Sequence, residues 1–115
     1  MQGASAIQAT LNRFPNARLR LLVVWEPVLP TDWAAPSTSV LSRVSDRRAG
    51  QFWDRGRLLS QKMLASGLQK PLAGPVVWDF VALFPPGARW ESSFPQPQFS
   101  GAPVADVIEE LRRLL

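Results

Sequence analysis

Carboxylates repeatedly adjoin tryptophans in this chain, as in Trp25-Glu26, Asp32-Trp33, Trp53-Asp54 and Trp78-Asp79. A carboxyl group held against an aromatic ring loses hydration, so its pKa rises and it becomes a better proton donor near neutral pH. Glu26 closes one strongly apolar run and Asp79 lies inside another. If the two runs are neighbours, the two acids meet, with Asp32 above them on a proline-rich loop. A pair of this kind can activate water or hold a divalent ion, the chemistry of a cysteine-independent hydrolase. The same residues also suit structural work, as helix caps or as partners of Arg20, Arg43 and Arg55 while the tryptophans fill the core. No metal-ligand spacing accompanies the acids, which favours the structural use. Asp46 and Asp54 read as caps.

The densest cationic stretch contains Arg43, Arg47, Arg48, Arg55, Arg57 and Lys62, with Phe52 and Trp53 interleaved. Arginine beside aromatic rings is the pattern of single-stranded nucleic-acid binding. A solvated helix face over a core containing Phe52 and Trp53 explains the stretch more simply, because the excess charge is modest. Pro95-Gln96-Pro97 is too short a proline segment to stand above a surface loop.

Absences narrow the chemistry further. The chain has no cysteine, histidine or tyrosine, so it holds no thiolate nucleophile, disulfide, imidazole base or sulfur-based zinc site. Acid and base work falls to carboxylates and to Lys62 and Lys70, and no cofactor is implied. The 115 residues suit a single domain spanning 1–115, and a composition 46% hydrophobic and 19% charged can bury a core. Thirteen basic residues against nine acidic ones give a net charge of +4. The bias toward arginine, alanine and proline matches GC-rich coding as well as any nucleic-acid design. No run has the roughly 18 to 20 apolar residues of a membrane span, and the first residues lack the features of a signal peptide. A cytoplasmic protein is the expectation.

These residues must be positioned by a small set of elements. Ala4, Ile7, Leu11 and Phe14 predict a helix from about Gly3 to Phe14. Leu19 to Trp25 predicts a strand whose second half is apolar on both faces, as in a buried central strand. After a loop punctuated by Pro27, Pro30 and Pro36, Ser37 caps a short helix. Asp46 is expected to cap a second, carrying Ala49, Phe52 and Trp53, and Asp54 a third, carrying Leu58 to Leu64 and ended by Gly67. Pro75 precedes a strand from Val76 to Phe84. Pro85-Pro86-Gly87 turns the chain into a return strand over Ala88 to Glu91, and an irregular insert holds Pro95 and Pro97. Val104, Val107, Ile108, Leu111 and Leu114 stripe a final helix that starts at Pro103.

The order α-β-α-β-β-α resembles the thioredoxin fold, a three-layer α/β sandwich, with its first strand missing. Pro75 lies where thioredoxin-like proteins hold a proline beside the active site. Leu83-Phe84-Pro85-Pro86-Gly87 resembles their hairpin, and Ser100-Gly101 with the closing helix resembles their last segment. The family's CxxC motif would fall at or before residues 1–5, so the resemblance implies a chain that begins downstream of that site or has lost it. It further implies a groove beside Pro75 and Val76, with Trp25 and Trp33 nearby, that can hold an extended peptide by main-chain hydrogen bonds. The resulting expectation is a non-catalytic binding or structural module, or the remnant of a thiol-disulfide oxidoreductase. With the first strand missing, Leu21 to Trp25 and Val76 to Phe84 are expected to be buried and to pair directly, and a monomer or a homodimer is open.

Overall fold

The computed structural model describes residues 2–27, 34–67 and 79–115. Asp32, Trp33, Pro75, Val76 and Trp78 lie outside these residues. The element order is α1 (Gln2–Arg13), β1 (Leu21–Trp25), α2 (Thr38–Leu41), β2 (Ala49–Trp53), α3 (Leu58–Ala65), β3 (Val81–Leu83), β4 (Phe99–Gly101) and α4 (Val104–Arg112). The molecule is a small mixed α/β globule with a radius of gyration of 13.9 Å, close to the value of about 13 Å expected for a compact chain of this length.

β1 and β2 pair in parallel, with Leu21 opposite Ala49 and Trp25 opposite Trp53. The backbone bonds Leu21 N to Arg48 O (3.0 Å) and Asp54 N to Trp25 O (2.8 Å) extend the pairing at each end. β2 replaces the helix expected after Asp46. The capping role fails because Asp46 already has a partner: its Oδ1 accepts from the Arg48 backbone N and from Arg48 Nε, each at 2.9 Å. That local turn launches Ala49-Gly50-Gln51-Phe52-Trp53 as an extended segment, and Gly50, a weak helix former, adds no resistance.

β3 pairs with β4 in antiparallel register, Val81 opposite Gly101 and Leu83 opposite Phe99. The return strand is therefore residues 99–101, whereas Ala88 to Glu91 has no strand structure. The Pro85-Pro86-Gly87 turn is present, closed by Ala88 N to Pro85 O at 3.2 Å. The irregular insert is held by rings: Phe94 stands 5.9 Å from Phe84 and 4.9 Å from Trp90 between centroids. Among the described residues β1 pairs with β2 and not with β3, contrary to the direct pairing expected of the two apolar strands.

The core sits where α4 meets α1 and the β3–β4 pair. Val104, Ile108 and Leu111 are buried against Ala6, Ile7, Val81, Leu83 and Phe99, as the stripe legible in the sequence predicts, whereas Leu114, expected to continue that stripe, is exposed beyond the end of α4. Arg112 Nε donates to Thr10 Oγ1 at 2.8 Å, tying the two helices together at a buried threonine. A second tie is Arg48, whose guanidinium donates to the carbonyls of Leu11 (2.8 Å), Phe14 (2.8 Å) and Ala17 (3.0 Å). It satisfies carbonyls at and beyond the end of α1 that no helical N–H reaches, and so locks that end onto the start of β2. Gln8 Oε1 adds acceptance from Ser45 N at 2.8 Å and from Asp46 N at 3.3 Å.

Candidate functional site

The parallel register decides which acids meet. Trp25 faces Trp53 across the pair, so the residues that follow, Glu26 and Asp54, leave the sheet side by side at the carboxyl ends of the strands. Crevices at this end of parallel strands are where α/β proteins commonly bind ligands. Both carboxylates turn onto the start of α3. Asp54 Oδ2 accepts from Leu59 N at 2.8 Å, serving the first turn of α3 from outside it, since the helix begins at Leu58 behind Arg57 and not at Asp54. Glu26 Oε2 accepts from Ser60 N at 3.3 Å, and Ser60 Oγ donates to Glu26 Oε1. Ser60 is 1% exposed. Arg57, at φ +55, closes the loop by donating from Nε to Pro27 O at 2.7 Å.

Burial raises the Glu26 pKa above the ordinary 4.5, and the negative charge and hydrogen bond of Asp54 push the same way, while the Ser60 hydroxyl and amide oppose them. Glu26 thus has Asp54 as its carboxylate neighbour, in place of the expected Asp79. Asp79 is placed elsewhere. At φ +51, its Oδ1 accepts from Val104 N at 3.2 Å and its backbone O from the same N at 3.1 Å. It caps α4 and crowds Gly3 of α1, where a methyl group would come within 2.6 Å of Oδ1. No hydrogen bond joins Glu26 and Asp79 among the described residues. Nor do those residues contain a group of three or more acidic, histidine or cysteine side chains that could hold a metal ion.

The basic stretch separates into two kinds of residue. Arg48 and Arg57 are spent on backbone carbonyls, and Arg48 also pairs with Asp46 at 2.8 Å, both side chains 16% exposed. That contact lowers the Asp46 pKa from 3.8 to about 2 and raises that of Arg48. Arg43, Arg47 and Arg55 are exposed. Lys62 lies exposed in the last turn of α3.

Trp25 is half-buried and donates from Nε1 to Gln51 Oε1 at 2.9 Å. Gln51 in turn donates from Nε2 to the carbonyls of Leu41 (2.9 Å) and Val44 (2.8 Å), fixing the end of α2 over β2. Between them lies an apolar recess of about 130 Å³, lined by Trp25, Ala35, Pro36, Leu41, Gln51, Phe52 and Trp53. A more polar recess of about 250 Å³ lies between Ser66-Gly67 and the Phe94 to Pro97 insert. The Glu26–Asp54 pair and this apolar recess escaped the sequence reading for one reason. Both depend on β2, and residues 49–53 were expected to be helical.

No protein-family model matches the chain, and neither a curated protein nor a solved structure shows significant similarity to it. No helix among the described residues is long and apolar enough to cross a membrane.

Proposed function

We propose that this chain is a non-catalytic binding module of thioredoxin-like architecture that holds a peptide or protein partner through an apolar side chain seated in the recess beside Trp25. The observation that carries the reading is the division of labour around β1 and β2. The acids that could do chemistry are engaged at the start of α3, while the aromatic side chains next to them line an open recess. Small-molecule sites usually enclose about 300 to 1,000 Å³, and a recess of about 130 Å³ suits a single side chain of a larger partner.

The thioredoxin-like part of the reading draws support from the order of elements. A parallel β1-α2-β2 unit, α3, an antiparallel β3–β4 pair and α4 follow one another as β-α-β-α-β-β-α, with α1 in front. On this reading β1 takes the place of the strand thought missing, and the family's CxxC position falls after Trp25, where the sequence has Glu26-Pro27 and no cysteine. Pro75 and Val76, to which the family resemblance assigns the peptide groove, lie outside the described residues.

Selection of random peptides displayed on phage against the immobilised chain tests the proposal. Enriched peptides should carry a common apolar residue. Their affinity should fall about tenfold or more in Ala35→Trp, which fills the recess from an exposed position, and it should also fall in Pro75→Ala. Full affinity in both folded variants contradicts the reading.

A further inference from the structure

Alternation along paired strands sends Leu22 and Val24 of β1 to the same side as Gly50 and Phe52 of β2. This side is open: Leu22 is 61% exposed and Phe52 54%. The Phe52 ring leans over the glycine. A methyl group at Gly50 would sit 3.5 Å from the ring and 3.9 Å from Leu22 Cδ2, so the two side chains form one apolar strip. Strips of this kind mark interaction surfaces when charged groups rim them. Arg18, Arg20 and Arg47 stand at its amino end, all exposed and all without an ion pair among the described residues.

We propose that this face docks an acidic amphipathic helix of a protein partner, its apolar stripe on Leu22, Val24 and Phe52 and its carboxylates on Arg18, Arg20 and Arg47. Dimensions support a helix as the occupant. Two strands about 5 Å apart make a face about 10 Å wide, the diameter of one helix at about 10 Å. Five residues at about 3.3 Å each span about 16 Å, which about 11 residues of helix cover at about 1.5 Å per residue. Charge supports an acidic one at the amino end, where Arg18, Arg20 and Arg47 have no ion pair among the described residues, whereas the carboxylates at the other end, Glu26 and Asp54, are turned onto amides at the start of α3. A nucleic-acid strand fits less well. It needs successive aromatic rings and cations that track its backbone, whereas Phe52 is the single ring beside aliphatic Leu22 and Val24, and the cations gather at one end.

The inference rests on the binding-module reading but uses the opposite side of β1 from Trp25, and of its residues Phe52 alone also lines the recess. Fluorescence anisotropy with three labelled probes tests it. They are a synthetic helix of about four turns with leucines at i, i+3 and i+4 spacing and glutamates elsewhere, its lysine counterpart with the same leucines, and a thymidine oligonucleotide of similar length. The glutamate helix should bind and weaken with rising salt. It should lose about tenfold in affinity in Leu22→Ser and several-fold in Arg20→Glu, two surface changes whose folding circular dichroism verifies. Equal or tighter binding of the lysine helix or the oligonucleotide overturns the proposal, as does no binding of the glutamate helix. If Ala35→Trp abolishes binding while Leu22→Ser and Arg20→Glu leave it intact, the helix-docking face is wrong and the recess reading stands.

Discussion

At the scale of single residues, two carboxylates pull stability in opposite directions with pH. Glu26 has its folded pKa raised above 4.5 by burial, so the folded state holds that proton more tightly than the unfolded chain. Its contribution is fully present below 4.5 and is lost as pH rises through the folded value. Asp46, lowered from 3.8 to about 2 by Arg48, contributes above 3.8, and this is lost as pH falls toward 2. Glu26→Gln keeps an acceptor for Ser60 and gains a donor toward Asp54 without a buried charge. It should therefore unfold at higher urea concentration than the unsubstituted chain at neutral pH, with the advantage vanishing at pH values where Glu26 is protonated. Lower stability of Glu26→Gln at neutral pH would show that the carboxylate is needed in its charged form. The place of Glu26 at the end of an apolar strand was legible from the run Leu21 to Trp25 before it. Its partner was not, because Asp54 and Asp79 each follow a tryptophan and only strand register distinguishes them.

At the scale of elements, α4 is the case in which sequence and structure agree most closely, since a period of 3.6 placed Val104, Ile108 and Leu111 on one face and that face is the core. Its contact with β4 is specific. A methyl group at Gly101 would meet Val107 Cγ1 at 3.0 Å and Cγ2 at 3.2 Å, so Gly101→Ala overpacks the strand-helix contact. Chemical denaturation should show a loss of about 1 to 3 kcal/mol, and an unchanged midpoint would mean that α4 can shift away from β4 at little cost. β2 is the opposite case. Its five residues, Ala49-Gly50-Gln51-Phe52-Trp53, show neither a clean alternation nor a turn signal, and Asp46 three residues earlier imitates a helix cap. The strand exists because Asp46 binds Arg48 in a local turn and because β1 offers a parallel edge, and the second is a tertiary fact. α1, the Ser37 cap and the Gly67 terminator depend on local chemistry alone and were readable as such.

At the scale of the whole molecule, Arg48 joins the α1–α4 core to the β1–β2 pair, and the basic stretch thereby divides into a structural bolt and exposed cations. The candidate surfaces, recess and open face, both belong to β1 and β2, the unit that the sequence placed least well. Composition had already removed thiol and imidazole chemistry, and the acids of the strand ends are engaged at the start of α3, which is why we propose binding. The most direct test is a titration of the isotope-labelled chain with a peptide enriched by selection, followed by amide and indole chemical shifts in NMR. The largest changes should cluster at Trp25, Leu41 and Trp53, and Glu26→Gln and Asp54→Asn, each of which removes a carboxylate charge, should leave the peptide affinity in place. Shift changes confined to the Phe94 to Pro97 insert, or affinity lost with either carboxylate, would contradict it.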